Sequence, residues 1–374
     1  MAAKESGLRG VVAGRSALSS VDGEVGRLTY RGIDIADLVA AETTFEEVAY
    51  LLWHDELPSR SQLDALTNQL NESRGLPGPV MDMLASLPDD STPMVALRTA
   101  VSMLGSFDPD QGDDSLEAAE RKAVRLLAQT PNIVAQAGRL LEGRDPLDPP
   151  DGSIAESFLA TYFGEAPKPE ATRTIDVMLV LQADHEFNAS TFAARVIAAT
   201  LTDMHSAIAG AVGALRGPLH GGANQAVLEM LLQVTSPEEA EAWVLDKLAK
   251  RELVMGFGHA VYRTADPRAT ILREIARELA PASGHAEWFE TSQVMEAVML
   301  REKNLNSNVD FYAATVYASL GIPPDLFTPI FAISRMSGWT AHVLEQQGNN
   351  RIIRPRAEYV GHMDRPVTPM AERG

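Results

Sequence analysis

The sequence has no cysteine. That excludes disulfides, thiol nucleophiles and zinc sites built on thiolate. It also lacks any run of about 18 apolar residues, the length a helix needs to span a bilayer. Met1-Ala2-Ala3-Lys4-Glu5-Ser6 leads into no apolar stretch of the signal-peptide kind, so a cytoplasmic protein is the expectation. Basic residues are in deficit: 32 Lys and Arg face 51 Asp and Glu, for a net charge of −19. That balance argues against nucleic acid as a partner. The acidic residues are scattered, as in Asp108-Pro109-Asp110 and Asp113-Asp114, and read as a solvated surface. An anionic ligand would then need arginines held locally in a cleft. No internal repeat or low-complexity segment occurs, and no His-x-x-x-His pair or acidic cluster suggests a metal.

What is present is mostly helical pattern. At 374 residues, two domains are expected, and 45% hydrophobic content is ample for their cores. The strong β signal lies near the start, where Ser16 to Val21 and Arg27 to Tyr30 flank Asp22-Gly23 as a hairpin. Thr44-Phe45-Glu46-Glu47 is a capping box that opens a helix ending before Pro58. Further helices are predicted from Ser61 to Leu70, over 92–106, from Leu116 to Gln129, and from Pro131, with a chain break at Pro77-Gly78-Pro79. Arg144 to Gly152 reads as a loop. Alanine-rich 170–215 suits closely packed buried helices. Later helices are predicted from Ser236-Pro237, Pro267 to Leu279, Phe289 to Lys303, Phe311 to Leu320 and Ser334 to Gln347, with an extended tail beyond.

One stretch organises the rest. It opens with Gly217-Pro218-Leu219-His220-Gly221-Gly222 and closes with Gly256-Phe257-Gly258-His259-Ala260-Val261-Tyr262-Arg263, then Asp266-Pro267-Arg268, with a helical hairpin expected between. Glycine lets the backbone approach a ligand closely. A histidine in such a turn faces a ligand, and the dipole of the following helix is expected to keep His220 neutral. Two such histidines suit a site that polarises carbonyl oxygens.

Other polar residues stand in unusual company: His185 and Asn188 in Ala183-Asp184-His185-Glu186-Phe187-Asn188, Asp310 in Asn308-Val309-Asp310, Arg335 in an apolar helix, and Arg354 beside a proline. Each has a plainer reading. His185 could be a core histidine, Asp310 an N-cap, Arg335 half of a structural ion pair, and Arg354 and Arg356 exposed cations. His54, His205, His285, His342 and His362 lack glycine-rich settings and receive no role.

Together these segments resemble the citrate synthase family, from Gly32-Ile33-Asp34 to Arg354-Pro355 and Tyr359-Val360-Gly361. His220, His259 and Asp310 fall in three signature segments in the right order and spacing. The length is similar to that of the shorter, dimeric branch. Lys303-Asn304-Leu305-Asn306-Ser307 departs from the pattern, being short and lacking a proline before Asn308; 282–290 is also atypical.

The resemblance implies a mainly α, two-domain fold with a small N-terminal β-hairpin. The large domain would span 1–223 and 325–374, and a small domain, 224–324, would close over the substrates. It implies Asp310 as the base that deprotonates acetyl-CoA, His220 as donor to the thioester oxygen, and His259 as donor to the ketone of oxaloacetate. His185, Asn188, Arg268, Arg335 and Arg354 would receive oxaloacetate, with Arg354 supplied by the neighbouring subunit of a homodimer. Val254, Gly256, Gly258, Arg263 and Arg356 would meet CoA, and Phe331 would lie near the reacting carbon. Beyond the acetyl-CoA co-substrate, no cofactor, metal or membrane is implied. A 2-methylcitrate synthase using propionyl-CoA is the nearest alternative. A non-catalytic ligand-binding protein on the same fold is the alternative of another class, although it should have lost at least one of the three signature residues.

Overall fold

The chain, analysed as a computed structural model, is described at residues 8, 11–234 and 236–373. The expectation for Met1 to Ser6 lies outside them. Ser19–Asp22 (β1) and Arg27–Tyr30 (β2) pair antiparallel, with Ser19 opposite Tyr30 and Asp22 opposite Arg27. The connection holds four residues, not the expected tight Asp-Gly turn. Asp22 Oδ1 accepts from the backbone N–H of Glu24 (3.0 Å) and Val25 (3.2 Å). Ile33–Asp34 (β3) adds a third antiparallel strand, so the expected hairpin is a three-stranded sheet. Tyr30 fixes the sheet to the helical core through its buried hydroxyl, which reaches the Val180 carbonyl at 3.0 Å.

Everything else regular is helix. Ile35–Ala40 (α1) leads to Phe45–His54 (α2), which starts in the predicted Thr44/Glu47 capping box. Arg60–Ser73 (α3), Gly78–Ala85 (α4) and Pro93–Leu104 (α5) follow. Helix α4 stands where the sequence suggested only a break. Pro79 lies in its first turn, where a missing N–H costs no hydrogen bond.

Leu116–Leu141 (α6) corrects a second expectation: it is one continuous helix running through Pro131. An interior proline costs about 3 kcal/mol in an exposed helix. Here both flanking turns are buried, and burial of this length of apolar face outweighs that cost.

Ile154–Phe163 (α7), Pro169–Gln182 (α8), Ala189–Ala198 (α9) and Met204–Leu215 (α10) complete the first half. Helices α9 and α10 pack closely on small residues; a Cβ at Gly210 would collide with Ile197.

Ala223–Leu231 (α11), Pro237–Ala249 (α12), Pro267–Ala282 (α13), Ala286–Lys303 (α14) and Val309–Ser319 (α15) pack chiefly on one another. Helix α11 packs on α15 and α12 on α14, so the hairpin expected between the glycine segments gives way to separate partners. Phe327–Gly348 (α16) is buried along most of its length and touches α2, α5, α6, α8, α9 and α10. It begins seven residues before the predicted start at Ser334. Pro329 falls in its first turn, where the N–H groups have no intrahelical partner.

After α16 the tail is largely exposed and has no regular structure until a 3-10 turn at Met370–Glu372. Among the described residues, no helix is long and apolar enough to cross a membrane.

Candidate active site

Two segments far apart in sequence are stitched together here. The Gly258 N–H donates to the Asn306 carbonyl (2.9 Å), and the Asn308 N–H donates to the Gly256 carbonyl (2.9 Å). Asn308 Nδ2 donates to the Gly258 carbonyl at 3.0 Å, and Phe257 bridges Ser307. This needs glycine twice, since Gly256 and Gly258 have φ of 83° and 80°. At Gly256 a Cβ would also meet Phe311 at 2.8 Å.

The same junction sets His259 and Asp310. His259 Nδ1 accepts from the backbone N–H of Val261 (3.0 Å) and Tyr262 (3.1 Å), so the ring proton is carried on Nε2. Burial, with the Arg268 charge, lowers its pKa to about 4, which keeps the ring neutral. Asn308, not Asp310, is the N-cap of α15: its Oδ1 accepts from the Asp310 N–H at 3.0 Å. The plainer reading of Asp310 as a cap therefore fails, and its carboxyl is left for other use. Burial pushes that carboxyl up to about 6, against the pull of Arg268 and Arg335.

Arg268 is held by Asp266, a residue to which sequence reasoning assigned nothing. Asp266 caps α13, takes Arg268 Nε (3.0 Å) and Nη2 (2.8 Å), and accepts from the Val309 N–H (3.2 Å). One carboxylate thus ties the arginine to the helix of Asp310. His185, buried and kept well below the usual imidazole pKa by burial and Arg268, meets the Tyr262 hydroxyl at 3.2 Å. Its ring lies edge-on to His259 with centroids 5.3 Å apart.

Arg335 is the common neighbour on the other side. Its Nε donates to the Gln182 carbonyl (2.8 Å), its guanidinium lies 4.7 Å from the Phe331 ring centroid, and burial lowers its pKa to about 10. His220 feels the same cation. Its pKa falls to about 4, first through burial and then through Arg335. The neutral state expected from a helix dipole thus has a different cause.

Two residues missed in the sequence orient this ring. Ser190 Oγ lies 2.8 Å from His220 Nε2, the Ser190 N–H points at the same nitrogen (3.4 Å), and Trp339 Nε1 donates to Ser190 Oγ (3.1 Å). The nitrogen facing Ser190 accepts, so the proton is carried on Nδ1. His220 Nδ1, His259 Nε2 and the Asp310 carboxylate have no hydrogen-bond partner among the described residues.

The remaining candidates divide. Asn188 is the N-cap of α9, accepting from the Thr191 N–H (3.1 Å) and donating to Thr191 Oγ1 (2.9 Å), so its amide is engaged within the chain. Val254 is buried beside the Gly256–Gly258 turn, while Arg263 is exposed and its backbone N–H donates to the Gly23 carbonyl at 2.8 Å. Arg354 and Arg356 lie in the exposed tail. Among the described residues, no group of three or more His, Asp or Glu side chains is placed to hold a metal ion.

A family model described as "Citrate synthase, C-terminal domain" matches residues 7–356. Citrate synthase 2 of Bacillus subtilis is 48% identical over 369 residues, with 98% of each chain covered. The 2-methylcitrate synthase of Shewanella oneidensis is 46% identical over 370 residues, with the same coverage. Among solved structures, citrate synthase from Thermoplasma acidophilum, in its ternary complex with carboxymethyl coenzyme A and oxaloacetate, superposes with a TM-score of 0.93. It is 32% identical, with 98% of each chain covered.

Proposed function

The chain belongs to the citrate synthase family of acyl-transferring enzymes, and from that premise we propose that it condenses acetyl-CoA with oxaloacetate. Asp310 takes a proton from the acetyl methyl group. A lone carboxylate is too weak a base for that carbon acid, so His220 Nδ1–H stabilises the enol or enolate oxygen as charge develops. The new nucleophile attacks the ketone carbon of oxaloacetate, and His259 Nε2–H protonates the alkoxide. Water then cleaves the citryl thioester, giving citrate and CoA. Arg268 and Arg335 receive the dicarboxylate, with His185 as a further donor; fork-shaped guanidinium groups suit carboxylates better than lysine does. The observation that carries this reading is the set of three reactive groups lacking partners among the described residues, two on neutral imidazoles and one on a raised carboxyl.

The reading has further parts. Segment 224–324 closes on the rest with His220 at the hinge, excluding water until oxaloacetate has bound. The protein works as a cytoplasmic homodimer in which Arg354 of each subunit completes the partner's site. Val254, Gly256, Gly258, Arg263 and Arg356 meet CoA, and no metal or redox cofactor takes part. A second acyl group is favoured by the relatives themselves, since they include a 2-methylcitrate synthase. One methyl group is worth only about 1–3 kcal/mol of discrimination.

The test is thiol release with oxaloacetate and either acetyl-CoA or propionyl-CoA. Faster release from acetyl-CoA is expected. A tenfold preference for propionyl-CoA makes the enzyme a 2-methylcitrate synthase, and no release with either supports a non-catalytic protein. Asp310→Asn is expected to abolish release while oxaloacetate still binds; near-normal turnover removes Asp310 as the base.

A further inference from the structure

A buried polar chain joins α9 to α16, and the chemistry above does not use it. Arg195 is its hub. Its Nε donates to Gln346 Oε1 (3.2 Å), and its Nη1 to His342 Nδ1 (2.9 Å) and Glu345 Oε2 (2.5 Å). The guanidinium also covers the Phe187 ring at 4.7 Å. A guanidinium only donates, so His342 Nδ1 accepts and its Nε2 carries the proton, 3.2 Å from Asp184 Oδ2. Ser19 Oγ donates to the same oxygen at 2.5 Å. Asp184 is fully buried and immediately precedes His185. Burial alone would raise its carboxyl, but His342, Arg335 and Ser19 hold it below the ordinary range, so it is a standing counter-charge for Arg335.

At the other end, Gln346 Nε2 donates to Asn350 Oδ1 (3.0 Å) and to the Arg351 carbonyl (3.3 Å). Asn350 Nδ2 donates to the Ala199 carbonyl (3.1 Å) at the end of α9. These are the first residues beyond α16, and Arg354 lies three further on. A cavity of about 500 Å³ lined by Phe187, Phe192, Arg195, Gln346 and 351–355 lies under the tail. The tail is therefore fastened at its root, and the root is bonded to the hub.

We propose that Arg195 is a positioning residue that couples the His185 pocket of one subunit to the course of the tail carrying Arg354 to the other. The proposal rests on reading Arg354 as a residue of the partner's site. Through His342 and Asp184, Arg195 steadies its own subunit's substrate groups. Through Gln346, it sets where the arm leaves. A buried hydrogen-bonded network of this kind is stiff, since in low-dielectric surroundings each bond broken without replacement is costly.

Mixed dimers separate the two legs. One subunit, differently tagged, is silenced by Asp310→Asn, so turnover reports the other subunit's site. Arg195→Met is then placed in the silenced subunit, whose arm serves the active site, or in the active subunit, whose own His185 is affected. The oxaloacetate KM is expected to rise about fivefold or more in both placements, the scale of a lost hydrogen bond. A rise in only one placement, or in neither, overturns the coupling. Gln346→Leu cuts the tail leg alone and keeps the test alive if Arg195→Met fails to fold; its KM rise is expected only from the silenced subunit, and no such rise overturns the proposal. Arg354→Ala in the silenced subunit is the control: an unchanged KM there sinks the shared-site reading itself, independently of Arg195.

Discussion

Asp310 occupies the second position of α15, where a helix N-terminus favours negative charge, yet burial lifts its pKa to about 6. A carboxylate with that value is still ionised at neutral pH and is a stronger base than an ordinary one. Turnover is therefore expected to rise with pH through about 6 and then level. The two histidines, at about 4, stay neutral across that window. A kcat profile flat from pH 5 to pH 8, taken with about 0.1 M salt, would remove Asp310 from the rate-determining proton transfer. Ser190 gives a second residue-scale prediction. Without its hydroxyl, the ring of His220 loses its orienting partner, so Ser190→Ala is expected to lower kcat about five- to tenfold. An effect confined to the oxaloacetate KM would assign Ser190 to binding instead. The glycine-flanked histidines were legible because glycine advertises a backbone constraint locally. Ser190 and Trp339 were not, because their contact spans 149 positions and leaves no local pattern. His342 was passed over for the same reason: its partners, Asp184 and Arg195, come from other elements.

Helices in the large core are clipped together by buried carboxylates. Asp176 on α8 accepts from the Phe45 N–H at the start of α2 (2.9 Å), and Glu46 on α2 accepts from the Ile154 N–H at the start of α7 (2.7 Å). Burial, and then the neighbouring Glu46, pushes Asp176 up to about 7; Glu46 is raised by its own burial. A folded-state pKa above the unfolded one contributes stability below the unfolded value that is lost as pH rises through the folded value. The protein is thus expected to become less resistant to urea between about pH 4 and 7. Asp176→Asn, which keeps an acceptor for Phe45, should flatten that slope; an unchanged slope would show that other groups set it. Helix α16 depends on a different detail. A Cβ at Gly338 would lie 2.6 Å from Asp184 Oδ1 and strike the Ala183 carbonyl. Gly338→Ala is expected to cost about 1–3 kcal/mol in unfolding free energy and to raise the oxaloacetate KM, because Asp184 and His185 share that backbone. Most helices were readable from caps and periodicity, as at Thr44. Pro79 and Pro131 misled because proline reads as a stop locally, while first-turn geometry or burial overrides it in the fold.

Over the whole molecule, a net charge of −19 surrounds the buried Arg268 and Arg335. On the proposed function, anionic substrates approach against the general field and are held by a local one. Added salt screens the long-range part first, so kcat/KM for oxaloacetate is expected to rise as ionic strength goes from about 10 mM to about 150 mM. A monotonic fall over that range would mean that the buried arginines already dominate the approach. The mainly helical architecture was legible in the sequence. The third strand was not, because Ile33–Asp34 is too short to carry alternation. The stitching of Gly256 and Gly258 to Asn306 and Asn308 reaches furthest. Because these hydrogen bonds lock the two loops edge to edge, the imidazole at 259 and the carboxylate at 310 travel as one cassette. On the proposed assignment, the spacing between ketone-side acid and methyl-side base is built in during folding, leaving the thioester-side histidine as the adjustable member.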